Sequence, residues 1–171
     1  MPIADLLLPE FDNEIIVTRT VLARVPDADD KGSWKPHEKS FPLAHLAQLV
    51  ARLPGWVAMV TEQDSIDIAP KDGPRSPGYS IEKTATLLAE FDKNAAAGRD
   101  AIARFTDARI NEPWQFKMGG QVVRSYTRYE ALRSTVLNHL VHHRAQLGLY
   151  LRLIDEKVPE MYGPTADTKR G

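Results

Sequence analysis

The sequence predicts an all-α fold, a four-helix bundle with a short β-hairpin before the last long helix. Three observations favour it: four segments carry apolar residues at helical spacing, prolines separate most of these segments, and Gly-Gly divides two alternating stretches. The 171 residues, with a mass of 19.1 kDa, suit one domain, and we assign residues 1–171 to it. The stretch from about 158 to 171 lacks periodicity and is predicted to be an extended tail.

Prolines delimit the first two helices. The first is predicted over about Ile3–Val25, with Pro26 directly after it. The second begins near Pro42, and its apolar stripe continues to Val60. Pro54 falls inside this stripe, so we expect a kink or a short break there.

The later elements follow a connection rich in proline and glycine. Residues 63–78 are predicted to form a surface connection, and Ser80 is the candidate cap of a helix that continues to Phe105. Residues 114–125 alternate around Gly-Gly and predict a hairpin. A capping box at Thr127-Arg-Tyr-Glu130 then begins a fourth helix, which continues to about Asp155.

Composition excludes several functions. The 22 Lys and Arg residues balance 23 Asp and Glu residues, and the basic residues are dispersed, so no nucleic-acid binding is predicted. The chain has no cysteine, so any metal site uses His, Asp or Glu, and any reacting thiol comes from another molecule. Neither a signal peptide nor a stretch approaching about 20 apolar residues is recognisable. We therefore expect a cytoplasmic, soluble protein without membrane contact.

His139 and His143 are candidate metal ligands. They lie four residues apart on the fourth helix, a spacing that lets two imidazoles reach one ion. At about 100° per residue, both lie on the apolar stripe of this helix, whereas His142 lies at its edge. Two buried rings need partners. These are either a metal ion or hydrogen bonds to side chains such as Asn138 and Gln146, and the spacing leaves both open.

A third ligand would come from outside the fourth helix. His45 lies on a flank of the second helix, about 100° from its apolar stripe, and His37 lies in the loop before it. The ordinary interpretation of each, as a boundary or a loop residue, is favoured over ligation. Neither position alone decides the question.

Several motifs together resemble those of the DinB-like superfamily of damage-inducible bacterial proteins. They cover nearly the whole chain and comprise Trp34-Lys-Pro-His37, Leu53-Pro54-Gly55-Trp56, Asn138-His139-Leu-Val-His142-His143-Arg144 and Val158-Pro-x-x-Tyr162-Gly-Pro164. The resemblance implies a four-helix bundle that holds nickel or zinc through three histidines. His139 and His143 match two of them, but Leu49 stands at the first ligand's position. Three alternatives for the third ligand remain. His45 reaches the metal from one turn earlier on the same flank, or His37 takes its place. Otherwise His139 and His143 alone hold the metal weakly, and the purified protein lacks the metal.

The resemblance also implies a function. The members of this superfamily with known activity are thiol-dependent transferases or isomerases, or suspected metal-dependent hydrolases. The superfamily's bundles are often dimeric. For this chain it implies a homodimer that acts on a small molecule in stress or detoxification, with a low-molecular-weight thiol as cosubstrate. His142 and Tyr150 would then be candidates for handling protons beside the metal. The competing hypothesis is a non-catalytic interaction protein with a vestigial metal site, which Leu49 favours.

Overall fold

The computed structural model describes residues 1–27, 31–72, 78–79 and 83–168, and this part of the chain is mostly helical. The helices are α1 (Ile3–Leu22), α2 (Leu43–Arg52), α3 (Trp56–Glu62), α4 (Thr84–Arg104), α5 (Arg128–Ala131) and α6 (Asn138–Leu153). The strands are β1 (Ser65–Asp67), β2 (Pro113–Met118) and β3 (Gln121–Thr127). α4 packs against α1, α2 and α3, while α6 packs against α2 and α1. The helical prediction is therefore correct in outline.

The break predicted at Pro54 is confirmed. A 3₁₀ turn, Leu53–Gly55, separates α2 from α3. Proline lacks the N–H that would continue the α-helical ladder, and 3₁₀ turns are common connectors of this kind. Asn94 of α4 donates to the Ala51 carbonyl at this break over 3.1 Å. The break redirects the chain and sets Trp56 against the interior.

The hairpin prediction is also confirmed, but the sheet has a third strand. Gly119 and Gly120 form its turn with φ angles of 60° and 79°, which glycine adopts without strain. β1 pairs with β2 in parallel. The predicted surface connection over residues 63–78 therefore contains a strand that the sequence analysis did not predict, and its residues 73–77 lie outside the described residues. The Asp67 carboxylate accepts from the backbone N–H groups of both turn glycines, which links β1 to the hairpin.

Two helix ends differ from the predictions. α1 ends at Leu22 instead of Val25. α4 begins at Thr84, whose backbone N–H donates to the Asp27 carboxylate over 2.8 Å. The cap of this helix is thus supplied by a distant segment of the chain. Ser80, the predicted cap, lies outside the described residues.

The last helical segment begins as predicted and then changes its winding. The capping box of Thr127 and Glu130 is present. α5 leads into a π-helical turn, Leu132–Leu137, and then into α6. A π turn adds a residue to the ring closed by each hydrogen bond, so it rotates the next helix relative to an ideal α-helical continuation. This turn directly precedes His139.

One segment of the described chain, Leu43–Glu62, is long and apolar enough to cross a membrane, with a mean hydropathy of 1.3. It consists of α2, the 3₁₀ turn and α3, so it is not one straight helix. Of its most apolar window, 61% is buried within the protein. The core helices of soluble proteins have the same composition, and this segment is such a core element.

Candidate functional site

The two histidines of α6 line an open cavity of about 650 Å³, which we call the histidine cavity. Its walls come from α2, α3, β2, α6 and two loops. The lining residues are mostly aromatic or aliphatic, with three histidines: Phe41, His45, Leu49, Trp56, Ile68, Ala69, Gly78, Tyr79, Phe116, His139 and His143. A cavity of this size and composition suits a small organic molecule.

The His139 and His143 rings lie next to each other on the wall of this cavity. Their Nε2 atoms are 2.8 Å apart, and their ring centroids are 4.6 Å apart. His143 is only 8% exposed, while His139 is half-buried and contacts the edge of Trp56. The α-helical spacing therefore brings the two rings together, as the sequence predicts.

The outer nitrogens of both rings are held by hydrogen bonds. His139 Nδ1 lies 3.3 Å from the Thr135 carbonyl oxygen, which can only accept, so Nδ1 carries the hydrogen. His143 Nδ1 lies 2.8 Å from the Gln146 side-chain oxygen and donates to it in the same way. In this arrangement both Nε2 atoms present lone pairs to each other.

Two lone pairs at 2.8 Å repel each other, so a cation or a proton has to lie between the Nε2 atoms. A proton suffices if the Gln146 amide turns and donates to His143 Nδ1, because His143 Nε2–H then donates to His139. A metal ion between the two Nε2 atoms removes the repulsion without any rotation of the Gln146 amide. A histidine that ligates a metal through one ring nitrogen usually donates the N–H of its other ring nitrogen to an acceptor, which holds the ring in place.

Burial lowers the pKa of both rings below the ordinary histidine value. For His139 the Thr135 carbonyl partly opposes this shift of the pKa, and for His143 the Gln146 side chain does so. Neighbouring histidines lower both pKa values further. At neutral pH the rings are therefore uncharged, which is the form that binds metal.

His45 lines the same cavity but is engaged differently. Its ring is stacked between Phe41, at 4.3 Å between centroids, and Tyr79, at 3.9 Å. Burial lowers its pKa, and the charge of Arg52 lowers that pKa further. Within the described residues, no group of three His, Asp or Glu side chains is close enough to hold an ion. The structure brings His139 and His143 together and leaves His45 in the stack.

The other candidate residues lie further from the pair. His37 is exposed in its loop, where its Nδ1 accepts from the Lys39 backbone N–H. His142 is exposed, although its ring centroid is 4.9 Å from that of His143. Tyr150 is buried and its hydroxyl donates to the Phe41 carbonyl, which holds the chain just before α2.

A metal ion fits the pair after a small adjustment. Imidazole nitrogens ligate zinc at about 2.0–2.1 Å, so two of them are roughly 3.3 Å apart in tetrahedral geometry. The Nε2 atoms at 2.8 Å need to separate by about half an ångström, which rotation of the partly exposed His139 ring can supply. His139 and His143 would hold the ion, and the open cavity leaves its other positions to small ligands.

Sequence reasoning missed most of the cavity wall. Phe116 and Tyr79 lie in a strand and a loop that are distant in sequence from α6. Trp56 could have been found from the sequence, since it is the last residue of the Leu-Pro-Gly-Trp motif at the break between α2 and α3. Leu49 lines the cavity at the place where the family resemblance implies a ligand.

The arrangement of elements matches solved structures of DinB-like proteins. One, from Bacillus cereus, aligns with a TM-score of 0.67 over 91% of this chain and 95% of its own, at 18% sequence identity. Another, YjoA from Bacillus subtilis, aligns with a TM-score of 0.66 over 91% and 96%, at 17% identity. The chain has the DinB-like fold. The resemblance to DinB-like proteins is thereby confirmed at the level of the fold.

The DinB-like likeness concerns the fold alone. No family model matches the sequence, and no curated protein matches it significantly. At 17–18% identity, similar backbones carry different side chains at most positions. An inference about function therefore has to rest on the side chains of this chain's own cavity.

Proposed function

We propose that this chain is a metal-dependent enzyme of the DinB-like type, with a divalent metal held by Nε2 of His139 and His143. One observation carries the proposal: two buried or half-buried rings bring their Nε2 atoms to 2.8 Å from each other on the wall of an open cavity, while both Nδ1 atoms have other hydrogen-bond partners. The proposal includes a four-helix bundle, a cytoplasmic location and a small-molecule substrate. Nickel and zinc both suit imidazole ligands.

The chain's own residues would prepare the site. Gln146 and the Thr135 carbonyl hold the rings so that Nε2 faces the cavity. Trp56 and Phe116 supply apolar walls that displace water and hold the substrate's organic part. Once bound, a divalent metal lowers the pKa of a thiol or water beside it, which is the chemistry of a thiol-dependent transferase or a hydrolase. Since the chain has no cysteine, a low-molecular-weight thiol would be the cosubstrate.

The test is the metal content of untagged protein after dialysis against nickel or zinc, measured by mass spectrometry. We expect near-stoichiometric metal in the wild type and its loss in His143→Ala and His139→Ala. His142→Ala is the matched control, because its exposed ring neighbours the pair without joining it. Metal should also raise the melting temperature of the wild type and not of His143→Ala. Retention of metal in both pair variants would place the site elsewhere and overturn the proposal.

A second candidate function is a non-catalytic interaction protein with a vestigial site. Leu49, which is 6% exposed, favours it, because a leucine at the expected third-ligand position supplies no ligand, and no group of three ligating side chains is found in the described part of the chain. This candidate predicts no metal after loading and no thermal stabilisation by metal. The Leu49→His variant separates the two: gain of tight metal binding by this variant alone would support the vestigial site.

A further inference from the structure

The histidine cavity adjoins a smaller cavity of about 320 Å³ beside the hairpin, which we call the hairpin cavity. Trp56, Phe116 and His139 line both. These three side chains therefore form a shared wall. A molecule that lies across the wall contacts both cavities and the exposed side of His139.

Arg124 lies on the hairpin at the hairpin cavity. It stands opposite Phe116 in the register of β2 and β3, and both side chains line this cavity. Among the described residues that line the two cavities, none is an Asp or a Glu. The guanidinium of Arg124 is thus a positive charge beside a largely aromatic site, and no carboxylate of the described lining neutralises it.

The lack of an ion pair at Arg124 is unusual for this protein. Among the described arginines, all except Arg24 and Arg124 form an ion pair with an Asp or Glu. Arg24 lines a separate cavity on α1 that contains no histidine. Of the arginines in the described ranges, Arg124 alone combines an unpaired charge with a place beside the histidine pair.

We infer that the two cavities together bind a small organic anion. Its apolar body lies against Trp56 and Phe116, and its carboxylate, phosphate or sulfonate binds Arg124. Although Arg124 is exposed, its planar guanidinium matches the oxygen geometry of such anions and can bind two of their oxygens at once. The inference rests on the proposed function, because it names the substrate class of the same site.

The test uses two fluorescent probes on metal-free protein in EDTA: the anion 8-anilinonaphthalene-1-sulfonate and its uncharged analogue N-phenyl-1-naphthylamine. For Arg124→Met we expect the Kd of the sulfonate to rise about tenfold, equivalent to about 1.4 kcal/mol. The Kd of the uncharged probe should not change. Arg124→Lys keeps the positive charge but lacks the planar guanidinium, so its Kd for the sulfonate should lie between those of the wild type and Arg124→Met. Competition by 2-naphthoate and 2-naphthyl phosphate then shows which anion the site prefers.

Arg24→Met is the matched control, because it removes the other unpaired arginine, and it should leave both Kd values unchanged. The indole N–H signal of Trp56, assigned with Trp56→Phe, should shift when the sulfonate binds. The inference is overturned if this signal does not move, if Arg124→Met leaves the sulfonate Kd unchanged, if it weakens both probes equally, or if Arg24→Met has the same effect. Since the assay contains no metal, failure of the metal proposal leaves this result intact, and the reverse also holds.

Discussion

At the scale of single residues, the proposed metal site depends on His139 and His143. Their Nε2 atoms are 2.8 Å apart, and both Nδ1 atoms already have hydrogen-bond partners. A pair of this kind exists with one shared proton or with one shared cation. The Gln146 side chain orients the His143 ring, so replacing Gln146 tests whether the pair shares a metal ion.

Gln146→Leu should weaken nickel binding by about 10- to 100-fold, the usual effect of removing the support of a ligating histidine. The loss arises because the His143 ring is then free to turn its Nε2 away from the pair. Calorimetric titration with nickel measures the affinity, and Gln121→Leu at the exposed hairpin tip is the control. Unchanged affinity in Gln146→Leu would show that this hydrogen bond does not support a metal ligand.

The metal-free protein should lose stability between pH 7.5 and 5.5. Burial lowers the pKa of His139 and His143 in the folded state. Below the unfolded value of about 6.5 the unfolded chain therefore binds more protons, and the free energy of unfolding falls until the folded pKa is reached. Above about 6.5 this contribution to stability is fully present.

Urea unfolding in EDTA at the two pH values measures this fall. It should be smaller in His143→Gln, because the substituted side chain does not titrate. It should keep its wild-type size in His37→Gln, since this exposed ring is not among the groups that lower the two pKa values. An equal fall in all three proteins would place the pH dependence in other groups.

At the scale of elements, the close crossing of α4 with the 3₁₀ turn positions the cavity. A Cβ built on Gly98 would lie 2.4 Å from the Pro54 carbonyl oxygen and 2.9 Å from the Phe11 ring. No side chain larger than hydrogen fits unless the elements separate. Because Trp56 follows directly after the turn, this crossing also sets one wall of the histidine cavity.

Gly98→Ala should therefore destabilise the fold by about 1–3 kcal/mol, the usual cost of overpacking, despite the better helix propensity of alanine. Urea unfolding measures the change. Gly163→Ala is the control, because a Cβ there meets nothing within 4 Å. A stability equal to or above that of the wild type in Gly98→Ala would contradict the close crossing.

The tail joins the helices at the scale of the whole molecule. Arg144 of α6 is 1% exposed and pairs with Glu14 of α1 over 2.6 Å. Tyr162 of the tail bonds both side chains through its hydroxyl. A buried charge of this kind is stable only with its partner present, so the tail and two helices share one network.

Glu14→Gln should reduce the free energy of unfolding by about 3 kcal/mol, since it leaves the buried Arg144 without a countercharge. Asp12→Asn is the matched control on the same helix: its ion pair with Arg99 is exposed, so we expect a change below about 1 kcal/mol. Chemical denaturation compares the two variants. Similar small losses in both would show that Arg144 is solvated in solution.

The sequence by itself determined the features that depend on neighbouring residues. The break at Pro54, the Gly-Gly turn and the capping box of Thr127 and Glu130 follow from local backbone chemistry, and the structure has all three. The approach of His139 to His143 follows from one turn of helix. These features need no knowledge of the rest of the chain.

Tertiary structure alone decided the features that join distant segments. β1 pairs with β2 across about 50 residues, and His45 of α2 is stacked against Tyr79 of the loop before α4. The cap that Asp27 provides for α4 is likewise non-local. No local periodicity encodes such contacts, because their free energy arises only after the helices have packed and brought the segments together.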